Sequence, residues 1–192
     1  MRLIDATIEV IAKRGDAAVR LVEVAAAAGI KQSSIYYFFP TRDDLVVAAH
    51  RERYRRAVAE MLVSFETEIA AATTVEEFRE GAIRALETAF SDDRREARLI
   101  RMAVLTKALT NDDLRREVND AAHQGHLALA KIIARAQQAG WVRTDISALT
   151  QAVWVRSMIF GRLVLEVDSE RYDGAEWNQL AFSSFMLTLT TD

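Results

Sequence analysis

The chain's one proline, Pro40, closes the stretch that constrains the fold most, RLVEVAAAAGIKQSSIYYFFPTRDDL from Arg20 to Leu45. Leu21, Val24, Ala25 and Ala28 recur at helical spacing, so a first short helix can bury one face. Gly29 follows where a chain leaving a helix needs a left-handed residue. Lys31, Gln32, Ser33 and Ser34 open a second run whose apolar and aromatic side chains are Ile35, Tyr36, Phe38 and Phe39. Proline disfavours the helical region for the residue before it, so this run ends at Phe39. Thr41, with Asp44 three residues on, reads as the cap of a third helix. Two short helices about a Gly-containing turn, the second starting in small polar residues, predict a helix-turn-helix. The second helix of that motif enters the DNA major groove.

These residues resemble the tetracycline-repressor-like (TetR-like) transcriptional regulators. The resemblance is carried by A-x-A-G-[VI]-x-x-x-[ST]-[LI]-Y-x-x-F-x-[ST]-[KR]-[DE]-x-L, which runs from Ala26 to Leu45. A second stretch, Ala139 to Ser147, is similar to the turn common before the penultimate helix of that family. The resemblance implies an all-α protein with a three-helix DNA-binding head at residues 1–46. It also implies a helical ligand-binding and dimerisation domain at 47–192, with the last two helices forming a homodimer interface.

The rest of the sequence agrees with a helical protein. Seven glycines and one proline in 192 residues leave little room for strands and turns. The absence of cysteine excludes disulfides, thiolate metal sites and cysteine catalysis. No apolar run approaches the ~20 residues of a membrane span, and the amino terminus lacks a signal-peptide pattern, so a cytoplasmic protein without a membrane partner is expected. Residues 1–56 carry ten Lys/Arg against seven Asp/Glu, and the remainder fifteen against twenty-one. A mildly basic head on an acidic body suits a DNA-binding domain joined to one of another kind.

Periodicity places a first helix through Leu3, Ile4, Thr7, Ile8 and Ile11, ended by Lys13-Arg14-Gly15. A long helix from Thr41 to about Ala72 carries Arg51, Arg53, Arg55 and Arg56, which read as a solvated face. Thr74 and Glu77 form a second capping box. Further helices are expected through Leu99–Leu109, from about Asp113 to Ala139, from about Ser147 to Val167, and from Ala175 to about Leu189. Trp154, Met158, Phe160, Val164 and Leu165 cover too wide an arc for a helix with one buried stripe. A second copy of the chain would supply the missing surface.

Base contact falls to the first turn of the recognition helix, Lys31, Gln32, Ser33 and Ser34. Gln can pair bidentately with adenine, and Lys can reach guanine. By resemblance Tyr36 and Tyr37 present hydroxyls to the DNA backbone. Arg42 is expected to grip a phosphate, and Arg20 to add charge at the groove edge. Ile35 and Phe39 read as head core, with Tyr36 serving both purposes. Lys31 and Arg20 stand where the family has hydroxyl caps, and losing a cap costs about 1 kcal/mol.

For the sensor pocket, Met61, Phe65, Phe78 and Met102 are candidate walls. Leu105, Trp154 and Met158 join them, and His126 is the candidate polar contact. Asp120, His123 and His126 follow at three-residue spacing, but no Glu-x-x-His pair completes a helical metal site. No G-x-S-x-G elbow supports a hydrolase, so neither an enzyme, a metal nor a cofactor is expected. The expected function is that of a transcriptional repressor released from a palindromic operator by a small hydrophobic ligand. The alternatives are a DNA-binding dimer with a filled core and no effector, and a helical-bundle enzyme.

Overall fold

The computed structural model describes residues 2–167 and 170–189 and, within these, every side chain except those of Gln32, Ser33, Val167 and Leu189. The described residues form nine α-helices and two 3₁₀ turns, with no strand among them. The helices are α1 (Arg2–Arg14), α2 (Leu21–Ala28), α3 (Gln32–Phe38), α4 (Arg42–Ile69) and α5 (Val75–Phe90). They continue with α6 (Arg95–Ala108), α7 (Asp112–Gln138), α8 (Ala148–Val167) and α9 (Gly174–Leu189). The 3₁₀ turns are Asp16–Ala18 and Asp92–Arg94.

Two compact units emerge. The first comprises residues 1–56 and 103–121, the second 57–102 and 122–192. The sequence suggests a boundary after residue 46. The observed first unit extends ten residues further along α4 and also takes in the end of α6 and the start of α7. Long helices α4, α6 and α7 thus give residues to both units.

In the first unit Leu3, Ile11, Val24, Ala28, Ile35 and Leu45 form the centre of the core. Thr7, fully buried, returns its hydroxyl to the Leu3 carbonyl at 2.8 Å, so no polar group is stranded there. Helix α2 ends as its sequence requires. Gly29 adopts φ 67°, ψ 31°, Ile30 N–H donates to Ala25 O at 2.9 Å, and Gly29 N–H to Ala26 O at 3.1 Å. This pair of bonds satisfies the last carbonyls of the helix and needs a residue that tolerates positive φ. Helix α3 stops at Phe39, held extended at φ −133° by the proline that follows. Thr41 and Asp44 then form the expected box. Asp44 N–H donates to Thr41 Oγ1 at 3.1 Å, and Thr41 N–H to Asp44 Oδ2 at 3.0 Å.

The second unit is centred on Phe65, Phe78, Leu86, Leu129, Ile159 and Phe185. Its α4–α5 seam is close-packed. A Cβ on Gly81 would stand 2.3 Å from the Glu68 carbonyl oxygen, so only glycine fits. Thr74 caps α5 by accepting from Glu77 N–H at 3.2 Å. The Glu77 carboxylate reaches Thr73 N–H at 2.7 Å, one residue earlier than a standard box would place it.

An ion pair that the sequence does not announce lies inside this unit. Arg98 is 1% exposed, and its Nε donates to Glu166 at 2.7 Å. Its Nη1 caps the carbonyl end of α5 through Ala89 O at 2.6 Å and Ser91 O at 2.9 Å. A guanidinium satisfied on both edges is one of the few ways a buried charge is tolerated.

Candidate nucleic-acid interface and sensor core

Helix α3 divides by exposure as a recognition helix should. Ile35 is fully buried and Phe39 packs against the head core, whereas Lys31, Tyr36, Tyr37 and Phe38 are exposed, Tyr37 at 83%. Tyr37 and Phe38 meet edge to face, with centroids 5.0 Å apart. Ser34 is half-buried, and the side chains of Gln32 and Ser33 lie outside those described. Both departures from the capping pattern are visible. Lys31 and Arg20 occupy the N-cap positions of α3 and α2, and neither side chain makes a capping hydrogen bond.

The two arginines expected at the DNA are otherwise engaged. Arg20 Nη1 donates to the carbonyls of Ala17 at 2.6 Å and Val19 at 3.1 Å. Arg42 Nε donates to Val19 O at 3.2 Å, its Nη2 to Asp16 O, and its Nη1 to Asp43 at 2.6 Å. Arg42 is thereby tied to the turn between α1 and α2, sharing the Asp16 carbonyl with Val19 N–H and the Val19 carbonyl with Arg20.

The same turn collects two partners from distant sequence. His50 Nε2 lies 3.0 Å from each carboxylate oxygen of Asp16, and Lys107 Nζ pairs with Asp16 Oδ2. Burial raises the Asp16 carboxyl pKa, but hydrogen bonds and charge from Lys107 and His50 outweigh it and leave it below its usual value. Burial lowers the His50 pKa against the pull of Asp16, so the ring is neutral near pH 7 with its proton on Nε2. The sequence shows His50 only as an isolated histidine, since its partner stands 34 residues away.

The arginine run of α4 is occupied as a solvated face would be. Arg55 and Arg56 each donate Nε to Glu52 at 2.8 Å, and Arg51 reaches Glu117 at 3.3 Å. Hydrogen bonds from Arg55, and then Arg56, hold the Glu52 pKa down to about 2 against the opposing effect of burial.

The sensor candidates do not share one site. Met61, Phe65 and Phe78 are buried, and Trp154 and Met158 pack half-buried against the same core. Met102 is 41% exposed on α6, and Leu105 lies in the first unit.

Among the described residues the core of the second unit leaves small packing gaps. One, with a cavity volume of about 20 Å³, is bordered by Met61, Ser64, Thr88 and Arg101 among others. There Arg101, 4% exposed, donates to Met61 Sδ at 3.3 Å and lies 5.5 Å from the Phe160 ring centre, a cation–π contact. Another, with a cavity volume of about 10 Å³, is bordered by Phe65, Phe78 and seven more apolar residues. His126, Trp154 and Met158 border neither. Burial, then the charges of Arg156 and His123, lower the His126 pKa to about 4. Among the described residues no three His, Asp or Glu side chains are placed to hold a metal ion, and no helix is long and apolar enough to cross a membrane.

Helices α8 and α9 pack on each other and on α5, yet keep apolar residues outside. Val153 and Val164 on α8 are 41% and 70% exposed, and Leu180 and Leu187 on α9 are 66% and 71% exposed.

A buried three-helix core presenting an aromatic, lysine-edged second helix defines a helix-turn-helix DNA-binding protein, and known proteins sharpen that class. Residues 3–49 match the tetR family of bacterial regulatory proteins. The fatty acid metabolism regulator protein of Bacillus subtilis (strain 168) is 24% identical over 190 residues, 98% of this chain and 92% of the relative. Among solved structures, one from Rhodococcus sp. assigned to the TetR family superposes with a TM-score of 0.70 at 19% identity, covering 98% of this chain and 97% of the other. The regulator FadR from Bacillus subtilis, solved in complex with stearoyl-CoA, gives a TM-score of 0.60 at 19% identity, covering 97% of each chain. Residues 3–49 thus match the DNA-binding module of the tetR family, and the chain as a whole shares the fold of these solved regulators.

Proposed function

We propose that the protein is a homodimeric repressor that holds a near-palindromic operator and releases it when a fatty-acyl effector occupies the second unit. The observation that carries the DNA reading is the division of α3, with Ile35 fully buried and Tyr37 83% exposed on the same short helix. Lys31, Gln32, Ser33 and Ser34 then read bases, while Tyr36 and Tyr37 hold the backbone. Two heads in successive major grooves require half-site centres ~34–36 Å apart, or a multiple of that spacing.

The effector reading draws on the near-complete coverage of a fatty acid metabolism regulator and on a solved relative in complex with stearoyl-CoA. Helices α4, α6 and α7 give residues to both units, which provides a continuous path from an occupied core to the head. To shift the balance by roughly 2.7 kcal/mol, the effector must bind the DNA-incompetent form about 100-fold more tightly. The exposed apolar residues of α8 and α9 support the dimer.

Fluorescence anisotropy on labelled DNA from upstream of its own gene tests the whole reading. Specific binding should appear at low salt and fall on addition of palmitoyl-CoA. Binding that ignores acyl-CoA of every chain length would leave a DNA-binding protein without this effector. Indifference to scrambled sequence would sink the operator reading.

A further inference from the structure

Of the three histidines, His50 alone lies in the first unit. Its ring is 2% exposed on α4 and faces the 3₁₀ turn that joins α1 to α2. Nε2–H spends its proton on the Asp16 carboxylate, 3.0 Å from each oxygen. Nδ1 is buried and has no hydrogen-bond partner among the described residues. A second proton on the ring would enter at Nδ1, where nothing accepts it. Such an N–H gives up its hydration and gains no bond in return.

The charges around the ring oppose that proton further. Asp16 of the turn attracts it, while Lys107 of α6 and Arg53, one turn along α4, repel it. Lys107 also pairs with Asp16 Oδ2, so the carboxylate beside the ring already holds a cation. Arg42 donates to the carbonyl of the same Asp16 and adds positive charge to the turn. Burial, aided by Lys107 and Arg53, outweighs Asp16 and keeps the His50 pKa below 6.5. The turn held in this way leads directly into α2, which packs on both α1 and α3.

We propose that His50, Asp16 and Lys107 form an acid-sensitive latch on the DNA-binding head. The closed turn takes a neutral His50 ring. Protonation of Nδ1 sets two cations against one carboxylate, frees the turn and lets α2 and α3 shift off the operator. The inference rests on the DNA-binding reading above and adds a condition that regulates it. Because the closed head disfavours the imidazolium, its contribution is complete above pH 6.5 and is lost as pH falls below that value. Asp16 stays ionised throughout, its carboxyl being held below 3.8. Opening takes up one proton per head, so the ratio of closed to open head falls by up to about 10-fold per pH unit.

Operator affinity of the full-length protein, measured by anisotropy at constant ionic strength from about pH 7.5 to about 5.5, tests the latch. The duplex is one that the protein enriches from a random pool at the higher pH. The unmodified protein should lose about 10-fold or more in affinity across this range. His50→Gln keeps an N–H toward Asp16 but gains no proton, so its profile should be nearly flat. Lys107→Gln leaves the whole carboxylate to the imidazolium and should shrink the loss. A merely structural role would lower affinity by one factor at every pH. Should His50→Gln misfold, imidazole NMR of the unmodified protein gives an independent answer, with His123→Gln and His126→Gln assigning the three rings. The His50 ring should titrate below pH 6.5 in step with the amide resonances of α2. A flat profile in the unmodified protein, a parallel profile in either variant, or a His50 ring that titrates while α2 stays still overturns the latch and leaves DNA binding standing. Failure of any duplex to be enriched overturns the operator reading itself.

Discussion

His50 and Asp16 meet with the imidazole Nε2 3.0 Å from both carboxylate oxygens, joining α4 to the 3₁₀ turn that leads into α2. Lys107 of α6 pairs with the same carboxylate. Asp16→Asn removes the charge facing both partners while keeping the shape. Thermal unfolding should show a loss of about 1–2 kcal/mol, in the range of charge-assisted hydrogen bonds at a partly exposed site. Operator affinity should fall with it, because this turn positions the recognition pair. An unchanged midpoint would mean that the three side chains are neighbours without consequence.

Arg42 yields a prediction that the sequence alone would have reversed. Its guanidinium serves the carbonyls of Val19 and Asp16, so Arg42→Ala should cost roughly 1–3 kcal/mol in stability. The salt dependence of operator binding should remain as it was. A log–log slope shallower by roughly 1.8 for the dimer would instead place this guanidinium on a phosphate.

Tyr37→Phe removes one hydroxyl from a side chain 83% exposed and should leave folding untouched. Losing a backbone hydrogen bond should weaken all DNA sequences alike, by about 1 kcal/mol per half-site. Gln32→Ala should cost about 1–3 kcal/mol on the operator alone and relax preference at one base pair per half-site. Binding assays on operator and scrambled duplexes separate the two outcomes.

The dimer should answer differently to two neighbouring substitutions on α9. Leu187 is 71% exposed, so Leu187→Glu should yield a folded monomer by sedimentation with its helical circular dichroism intact. Phe185 is 2% exposed, so Phe185→Ala should cost about 3–5 kcal/mol and report on the core instead. A folded Leu187→Glu dimer would put the interface elsewhere.

His126 gives the protein a pH dependence of definite sign. Its pKa is lowered in the folded chain from 6.5 to about 4, so between these values the unfolded chain binds more protons. Stability from this residue is present above pH 6.5 and is lost as pH falls toward 4. Unfolding midpoints measured across that window should drop less steeply in His126→Gln than in the unmodified protein. Parallel profiles would assign the loss to other groups.

Features settled within a few residues of one another were legible in the sequence. Gly29 must close α2 because only a residue tolerant of positive φ can satisfy the last carbonyls there, and Pro40 must stop α3. The Thr41–Asp44 and Thr74–Glu77 caps act over three residues, and burial of Ile35 follows from helical spacing. Tertiary structure alone decided what depends on separations that no spacing rule spans. Lys107 finds Asp16 across 91 residues and Arg98 finds Glu166 across 68. Arg42 bonds the Val19 and Asp16 carbonyls, which lie 23 and 26 residues away and become its neighbours only once the head is folded. Met102 and Leu105 carry the same apolar character as Met61 and Phe65. Only packing sent the first to the surface and the second to the head's unit.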